Sequence, residues 1–270
     1  MEKKKLEKTP SLLLSFDIEE FDLPEEYGKH IYEEDKFEIS RQGTEALLDL
    51  VDECGIPATF FVTGSFAKKY PHLIRRMAEE AHEVASHGMD HSSFQTSHLE
   101  ESRLLLEEMS GKTVTGFRMA RLAKVEKEEI LKAGYVYESS LNPVWLPGRY
   151  NHFSAPLLPF RETCGLWQFP VSALPLIRFP LFWLSFKNLP LSVYEFLAGF
   201  SGKRTGYFNM YSHPWEYQEE SADYRVPSYI VRHAGQEQLD RLRSLVLFLK
   251  KRGNFMTFQE FLSAGTGEKT

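Results

Sequence analysis

Seven or eight short apolar runs recur along the chain, and most are separated by segments with the spacing of helices. Strands divided by helices pair most readily in parallel, so the alternation points to a parallel sheet or a barrel. The runs are LLLSF (12–16), ATFFVTG (58–64), HEVASHG (82–88), VTGFR (114–118), YVYESS (135–140), LWQFPVS (166–172), GYFNMYS (206–212) and FMTF (255–258). Helical spacing is expected in GTEALLDLVDECG (43–55), PHLIRRMAEEA (71–81), HLEESRLLLEEMSG (98–111), KVEKEEILKAG (124–134) and QEQLDRLRSLVLFLKKRG (236–253), with a closing turn at QEFL. There is no internal repeat and no low-complexity stretch. The expected organisation is a flexible lead over 1–10, one domain over 11–263 and a frayed tail over 264–270.

Composition narrows the class. With 42% hydrophobic and 26% charged residues, the 270-residue chain reads as an ordinary folded globule. A net charge of −6 argues against nucleic acid as the partner. Two cysteines, Cys54 and Cys164, are too few for a structural zinc site of their own or a disulfide framework. The charged lead MEKKKLEKTP lacks the apolar stretch of a secretory signal, and no later segment reaches membrane-spanning length, so a cytoplasmic protein is expected.

One segment departs from the alternation. Residues 173–200, ALPLIRFPLFWLSFKNLPLSVYEFLAGF, are dense in Phe, Leu, Trp and Pro and carry two cations, Arg178 and Lys187. Its prolines rule out one continuous helix. Two readings stand: a cap over the core, or an exposed patch for a lipid-linked ligand or membrane surface, with Phe182 and Trp183 as its contacts.

Residues able to do chemistry sit just beyond the downstream ends of the expected strands. Asp17 and Glu19 follow the first, His87 and His91 the third, Arg118 the fourth and His213 a later one. In a parallel barrel these ends share one mouth, so residues distant in sequence converge there. In extended chain, positions i and i+2 face the same way: Asp17 and Glu19 share a side, Ile18 packs into the core, and Glu20 and Asp22 are expected to face solvent. A helical turn would put His87 and His91 on one face, suited to a divalent metal. With a carboxylate as third ligand, two histidines leave positions open for water and substrate. Other polar residues, among them His82, His98 and Glu138, are expected to be structural.

These segments together resemble the polysaccharide deacetylase (NodB-homology, carbohydrate esterase family 4) superfamily. SFDIEE is similar to its first motif, HEVASHGMDH to its second, TGFRMA to its third, and LWQFPVS and YSHPWE to its late motifs; GYVYESSL is similar to a segment common in these proteins. The likeness runs from about Leu12 to Leu262. The family's fold is a distorted (β/α) barrel, usually of seven strands, so a (β/α)7-type barrel is implied. The resemblance implies Asp17 as general base and Glu19, His87 and His91 as ligands of a divalent metal, most often Zn. It also implies Arg118 as the group orienting Asp17, and His213 as general acid. The implied reaction is hydrolysis of an N-acyl group, typically N-acetyl, on an amino sugar in a glycan or its nucleotide- or lipid-linked precursor. An oxyanion donor is expected near Phe94; Trp215 and Tyr211 are core by default, with a sugar-stacking wall as the other reading.

The first motif has the spaced-acid form found in a branch that includes some peptidoglycan deacetylases and metal-independent allantoinase-like proteins. An amidohydrolase acting on a cyclic ureide, or a catalytically defective carbohydrate-binding barrel, are therefore the alternatives. Three positions depart from the family pattern. Glu19 stands where an Asp is usual, Ala120 replaces a proline, and Gln168 occupies the place of the acid expected to orient His213, leaving Glu216 as its substitute.

Overall fold

A computed structural model of the protein describes residues 9–146 and 150–266. Its strands are β1 (Ser11–Ile18), β2 (Thr59–Val62), β3 (Glu83–Ser86), β4 (Gly116–Phe117), β5 (Tyr137–Glu138), β6 (Trp145–Leu146), β7 (Tyr150–Asn151), β8 (Phe160–Arg161), β9 (Trp167–Gln168), β10 (Tyr207–Ser212) and β11 (Asn254–Phe255). The main sheet runs in the order β10-β1-β2-β3-β4-β5-β9-β8, with β11 alongside β1. Every neighbouring pair from β10 to β9 is parallel, and only β8 joins antiparallel. The parallel run thus has the seven strands expected of a (β/α)7-type barrel.

The two ends of that run meet through single hydrogen bonds. Beyond β9, Ser172 N donates to Asn209 O (2.9 Å), Asn209 N donates to Ser172 Oγ (2.9 Å), and the Tyr207 hydroxyl donates to Pro170 O (2.8 Å). The sheet is therefore curled almost onto itself, which is the distortion in the expected barrel.

Strand β1 shows how the pattern of side chains builds the site. Leu12, Leu14, Phe16 and Ile18 face outward into the large cluster that packs sheet against helices. Leu13 faces inward, with Phe61, Ala85, Tyr137, Phe169, Tyr207 and Phe258 filling the barrel interior. Ser15 and Asp17 have the parity of Leu13, so the period-2 alternation carries them inside and toward the mouth.

Helices occupy the expected segments, at Pro71–Glu79, Ser97–Ser110, Lys127–Lys132 and Gln236–Lys250. The first long helix is Glu33–Glu53, ten residues longer at its start than its apolar spacing suggests. Glu33, Glu34 and Asp35 in its first turn complement the positive end of the helix dipole, and Phe37 and Ile39 extend its buried face. The closing turn is a helix, Phe258–Thr266, which takes up the start of the expected tail; residues 1–8 of the lead and 267–270 lie outside the described residues.

Segment 173–200 divides at its prolines into a turn, a helix Trp183–Asn188 after Pro180, and a helix Leu191–Thr205 after Pro190. Leu181, Phe182, Trp183 and Phe186 are buried, so Phe182 and Trp183 are not lipid-facing contacts: their rings close the top of the barrel. The exposed apolar residues of the segment are others, above all Leu176 at 91% and Ile177 at 70%.

Gly43, within helix Glu33–Glu53, is the closest approach between that helix and the site loop. A Cβ there would lie 2.0 Å from the Pro214 carbonyl oxygen. Glycine in a helix normally costs about 0.5–1 kcal/mol relative to alanine. Here the sign should reverse: Gly43→Ala is expected to destabilise the protein by about 1–3 kcal/mol, as overpacking does. A denaturant melt checks this, and an alanine variant as stable as the parent would refute the packing argument.

Candidate functional site

The mouth of the barrel holds a cleft of about 220 Å³ lined by Asp17, Glu19, His87, His91, Tyr211, His213 and Trp215, among others. All six residues singled out in the sequence for catalysis or metal binding are buried. Arg118 lies behind the cleft in contact with Asp17.

Three donors converge. Glu19 Oε2 is 3.2 Å from His87 Nε2 and 2.9 Å from His91 Nε2, and one donor atom from each residue lies within 4.8 Å of the others. The extra methylene of Glu19 therefore does not keep its carboxylate from the histidines. The histidines do not share a helical turn. Residues 87–92 form a loop in which Gly88 takes a left-handed φ of 89°, and the rings stand 5.9 Å apart, 16° from parallel. That loop is pinned from the other side, with Gly64 N donating to Gly88 O (2.9 Å) and Ser65 N to Met89 O (2.8 Å).

Glu20 and Asp22 depart from expectation. Both are buried, because the chain leaves the strand pattern in a tight turn where Asp22 N donates to Glu20 O at 2.7 Å. Asp22 Oδ1 meets His91 Nδ1 at 2.8 Å, and its Oδ2 accepts from Arg121 at 2.9 Å. Arg121 also donates to Glu26 (2.6 Å) and to His91 O (3.1 Å). It occupies a left-handed φ of 55°, in the loop where Ala120 stands for the family's proline. Glu20 accepts from the Thr63 hydroxyl at 2.8 Å, and burial pushes its carboxyl up to about 7.

Opposite charges set the protonation of the cluster. Burial alone would raise the Glu19 carboxyl, but His91 and His213 outweigh it and hold it well below the usual carboxylate range. Burial likewise opposes a charged His91, yet Glu19 and Asp22 push its pKa up to about 10. Such a cluster holds a proton where a cation can sit. Two imidazoles and a carboxylate, one imidazole oriented by Asp22, are the donor set of an open catalytic divalent-metal site.

Two further groups face the same cleft. Asp17 Oδ1 accepts from Arg118 NH1 at 2.6 Å. Arg118 is fully buried, donates to Ser15 Oγ, Ser139 O and Ser139 Oγ, and lies 4.0 Å from the Phe61 ring centroid. His213 stacks on Trp215 at 5.0 Å and meets Trp183 edge-on at 5.2 Å. Its Nδ1 is 3.0 Å from Glu216 Oε1, so Glu216, and not Gln168, is the acid beside it. Burial opposes the charged imidazole, but Glu19 and then Glu216 raise its pKa. Glu216 Oε2 lies 3.1 Å from Lys187 Nζ. Phe94 is 39% exposed and does not line the cleft, which leaves the expected oxyanion donor without support at that position.

Asp22, Arg121 and Lys187 were not singled out for the site by sequence. Asp22 carried a signal, since it belongs to the acid cluster that holds Glu19; Arg121 and Lys187 carried none beyond their charge.

Comparison with known proteins bears on the family and the fold. The polysaccharide deacetylase family profile matches residues 7–135. A chitooligosaccharide deacetylase of Sinorhizobium fredii is 54% identical over 48 residues, 18% of this chain and 22% of that protein. The chain thus spans about a fifth of the length of that curated relative. The probable polysaccharide deacetylase of Pseudomonas aeruginosa PAO1 superposes with a TM-score of 0.67 at 13% identity, covering 96% of this chain and 92% of the other. Puue allantoinase superposes with a TM-score of 0.65 at 15% identity over the same shares. Residues 7–135 thus match the polysaccharide deacetylase family in sequence, and over nearly its whole length the chain has the fold of polysaccharide deacetylase structures.

Proposed function

We propose that the protein is a metal-dependent hydrolase that removes an N-acyl group, foremost N-acetyl, from an amino sugar in a glycan or glycan precursor. The observation that carries this reading is the meeting, in one cleft, of the Glu19–His87–His91 donors, the Asp17–Arg118 pair and the His213–Glu216 pair.

Glu19, His87 and His91 would hold a divalent ion, Zn²⁺ being well suited to this donor set. When bound, it supplies Lewis acidity toward the acyl carbonyl and lowers the pKa of water. Arg118 fixes one oxygen of Asp17, which leaves the carboxylate aimed to take the proton of the attacking water. His213, with Nδ1 turned to Glu216, presents Nε2 to give a proton to the departing amine, which leaves poorly as an anion. Tyr211, Trp183 and Trp215 line the cleft as buried aromatic residues, and the Trp215 ring, stacked between Phe21 and His213, has no free face for a sugar.

In its finer form the proposal has the protein act in the cytoplasm on a nucleotide- or lipid-linked amino sugar. Membrane contact through 173–200 would then fall on its exposed apolar residues, Leu176, Ile177 and Phe196 foremost; no helix among the described residues is long and apolar enough to cross a bilayer. The complete donor set favours amide hydrolysis at a metal over the cyclic-ureide reading, which the likeness to an allantoinase supports through fold alone.

Acetate release from N-acetylated chitooligosaccharides and from a nucleotide-linked N-acetylamino sugar tests the reading directly. Asp17→Asn and His213→Ala are each expected to lower kcat about 10²–10⁴-fold. Turnover of allantoin with no acetate from any N-acetylated sugar would move the assignment to the alternative.

The His91 shift gives a second expectation. In the metal-free protein its raised pKa stabilises the fold fully below the ordinary 6.5, and that contribution is lost as pH climbs toward about 10. Metal needs the deprotonated ring, so the rise in Tm produced by Zn²⁺ over a chelator control should grow with pH across this window. A shift that is flat with pH would show that His91 is not a ligand.

A further inference from the structure

The apolar segment 173–200 contains one fully buried charge that the reaction does not absorb. Lys187, on helix Trp183–Asn188, has no exposed side-chain surface, and its Nζ has two polar neighbours: Glu216 Oε2 at 3.1 Å and Ile230 O at 2.9 Å. The same ammonium lies 5.4 Å from the Trp215 ring and 5.9 Å from that of Trp183, the two indoles that enclose His213. Trp183 is one helical turn before Lys187, so one short helix supplies both a wall of the cleft and the cation. That helix is itself tied down: Arg241 donates to Phe186 O (2.7 Å) and Leu189 O (2.9 Å), and Asn188 donates to Tyr229 O (2.7 Å).

Glu216 is divided between its two partners. Oε1 accepts from both the backbone N–H (2.9 Å) and Nδ1 (3.0 Å) of His213, and Oε2 faces Lys187. A carboxylate with no exposed surface stays charged only with such support. A lysine enclosed in apolar surroundings is costly unless paired, and Glu216 is the acid it pairs with.

We propose that Lys187 is a positioning residue: it keeps Glu216 ionised and fixed, and through Glu216 holds His213 with Nδ1 inward and Nε2 toward the substrate. This rests on the reading of His213 as proton donor, and it gives the unusual segment a role as the seat of that acid.

The test uses the full chain with Lys187→Met, which keeps the aliphatic stem, and the double variant Lys187→Met/Glu216→Gln. Infrared difference spectra at neutral pH should show a protonated carboxyl band in Lys187→Met that vanishes in the double variant. Melting should show Lys187→Met destabilised and the double variant largely restored, which also covers the case in which the single variant fails to fold. With an N-acetylated chitooligosaccharide, kcat of Lys187→Met should fall about 10–100-fold while KM stays within about twofold. No protonated carboxyl in a folded Lys187→Met, or a double variant no more stable than the single one, would overturn the proposal. The spectroscopic and melting results stand without turnover, so an inactive parent protein would count against the hydrolase reading and leave this one to be judged separately.

Discussion

A guanidinium sealed inside the barrel governs the arrangement around it. Arg118 has no exposed surface, and an isolated charge there would cost several kcal/mol. Its cost is offset by Asp17 and Ser15 of β1, by the carbonyl and hydroxyl of Ser139 just beyond β5, and by the ring faces of Phe61 and Tyr211 from β2 and β10. All four strands must be in register at once for these partners to meet. A one-residue slip of β1 would turn Asp17 out of the interior and leave the arginine unpaired, so the same contact that orients an acid also selects the register.

Three charge systems share the cleft, and Glu19 and His213 couple two of them. Asp17 belongs to Arg118; Glu19 and His91 belong to Asp22 and, behind it, Arg121; His213 belongs to Glu216 and, behind it, Lys187. In each, the group facing the cleft is backed by a charge of opposite sign, and two of the three have a further charge behind that. Orientation is thereby fixed by buried contacts and not by the reactive residues themselves, which is the condition for a preorganised site.

Much of this was legible in the sequence because it follows from local periodicity. The alternation of Asp17, Ile18 and Glu19 placed the acids, and the position of His87, Arg118 and His213 just past strand ends placed them at one mouth. Periodicity fails where the strand stops. Glu20 and Asp22 were assigned to solvent by extending the alternation of β1 four residues past its end at Ile18, across a turn that buries both. The histidine pair was read as a helical spacing, whereas a glycine at positive φ and contacts from Gly64 and Ser65 bring the rings together. Arg121 and Lys187 depend on a left-handed loop residue and on a helix docked across the barrel top, neither of which leaves a periodic trace.

Strand β1 lies between β2 and β10, and its first residues also pair with β11. Its partners therefore come from positions near 60, near 210 and near 255. Contacts across nearly 200 residues, such as Ser15 Oγ to Met210 O, cannot form until the late strands have been made. During synthesis β1 can pair early with β2, but its edge toward β10 would wait unpaired while most of the chain emerges. Such a topology favours slow, late assembly, and it makes the first strand the one most in need of protection from misassociation before the barrel closes.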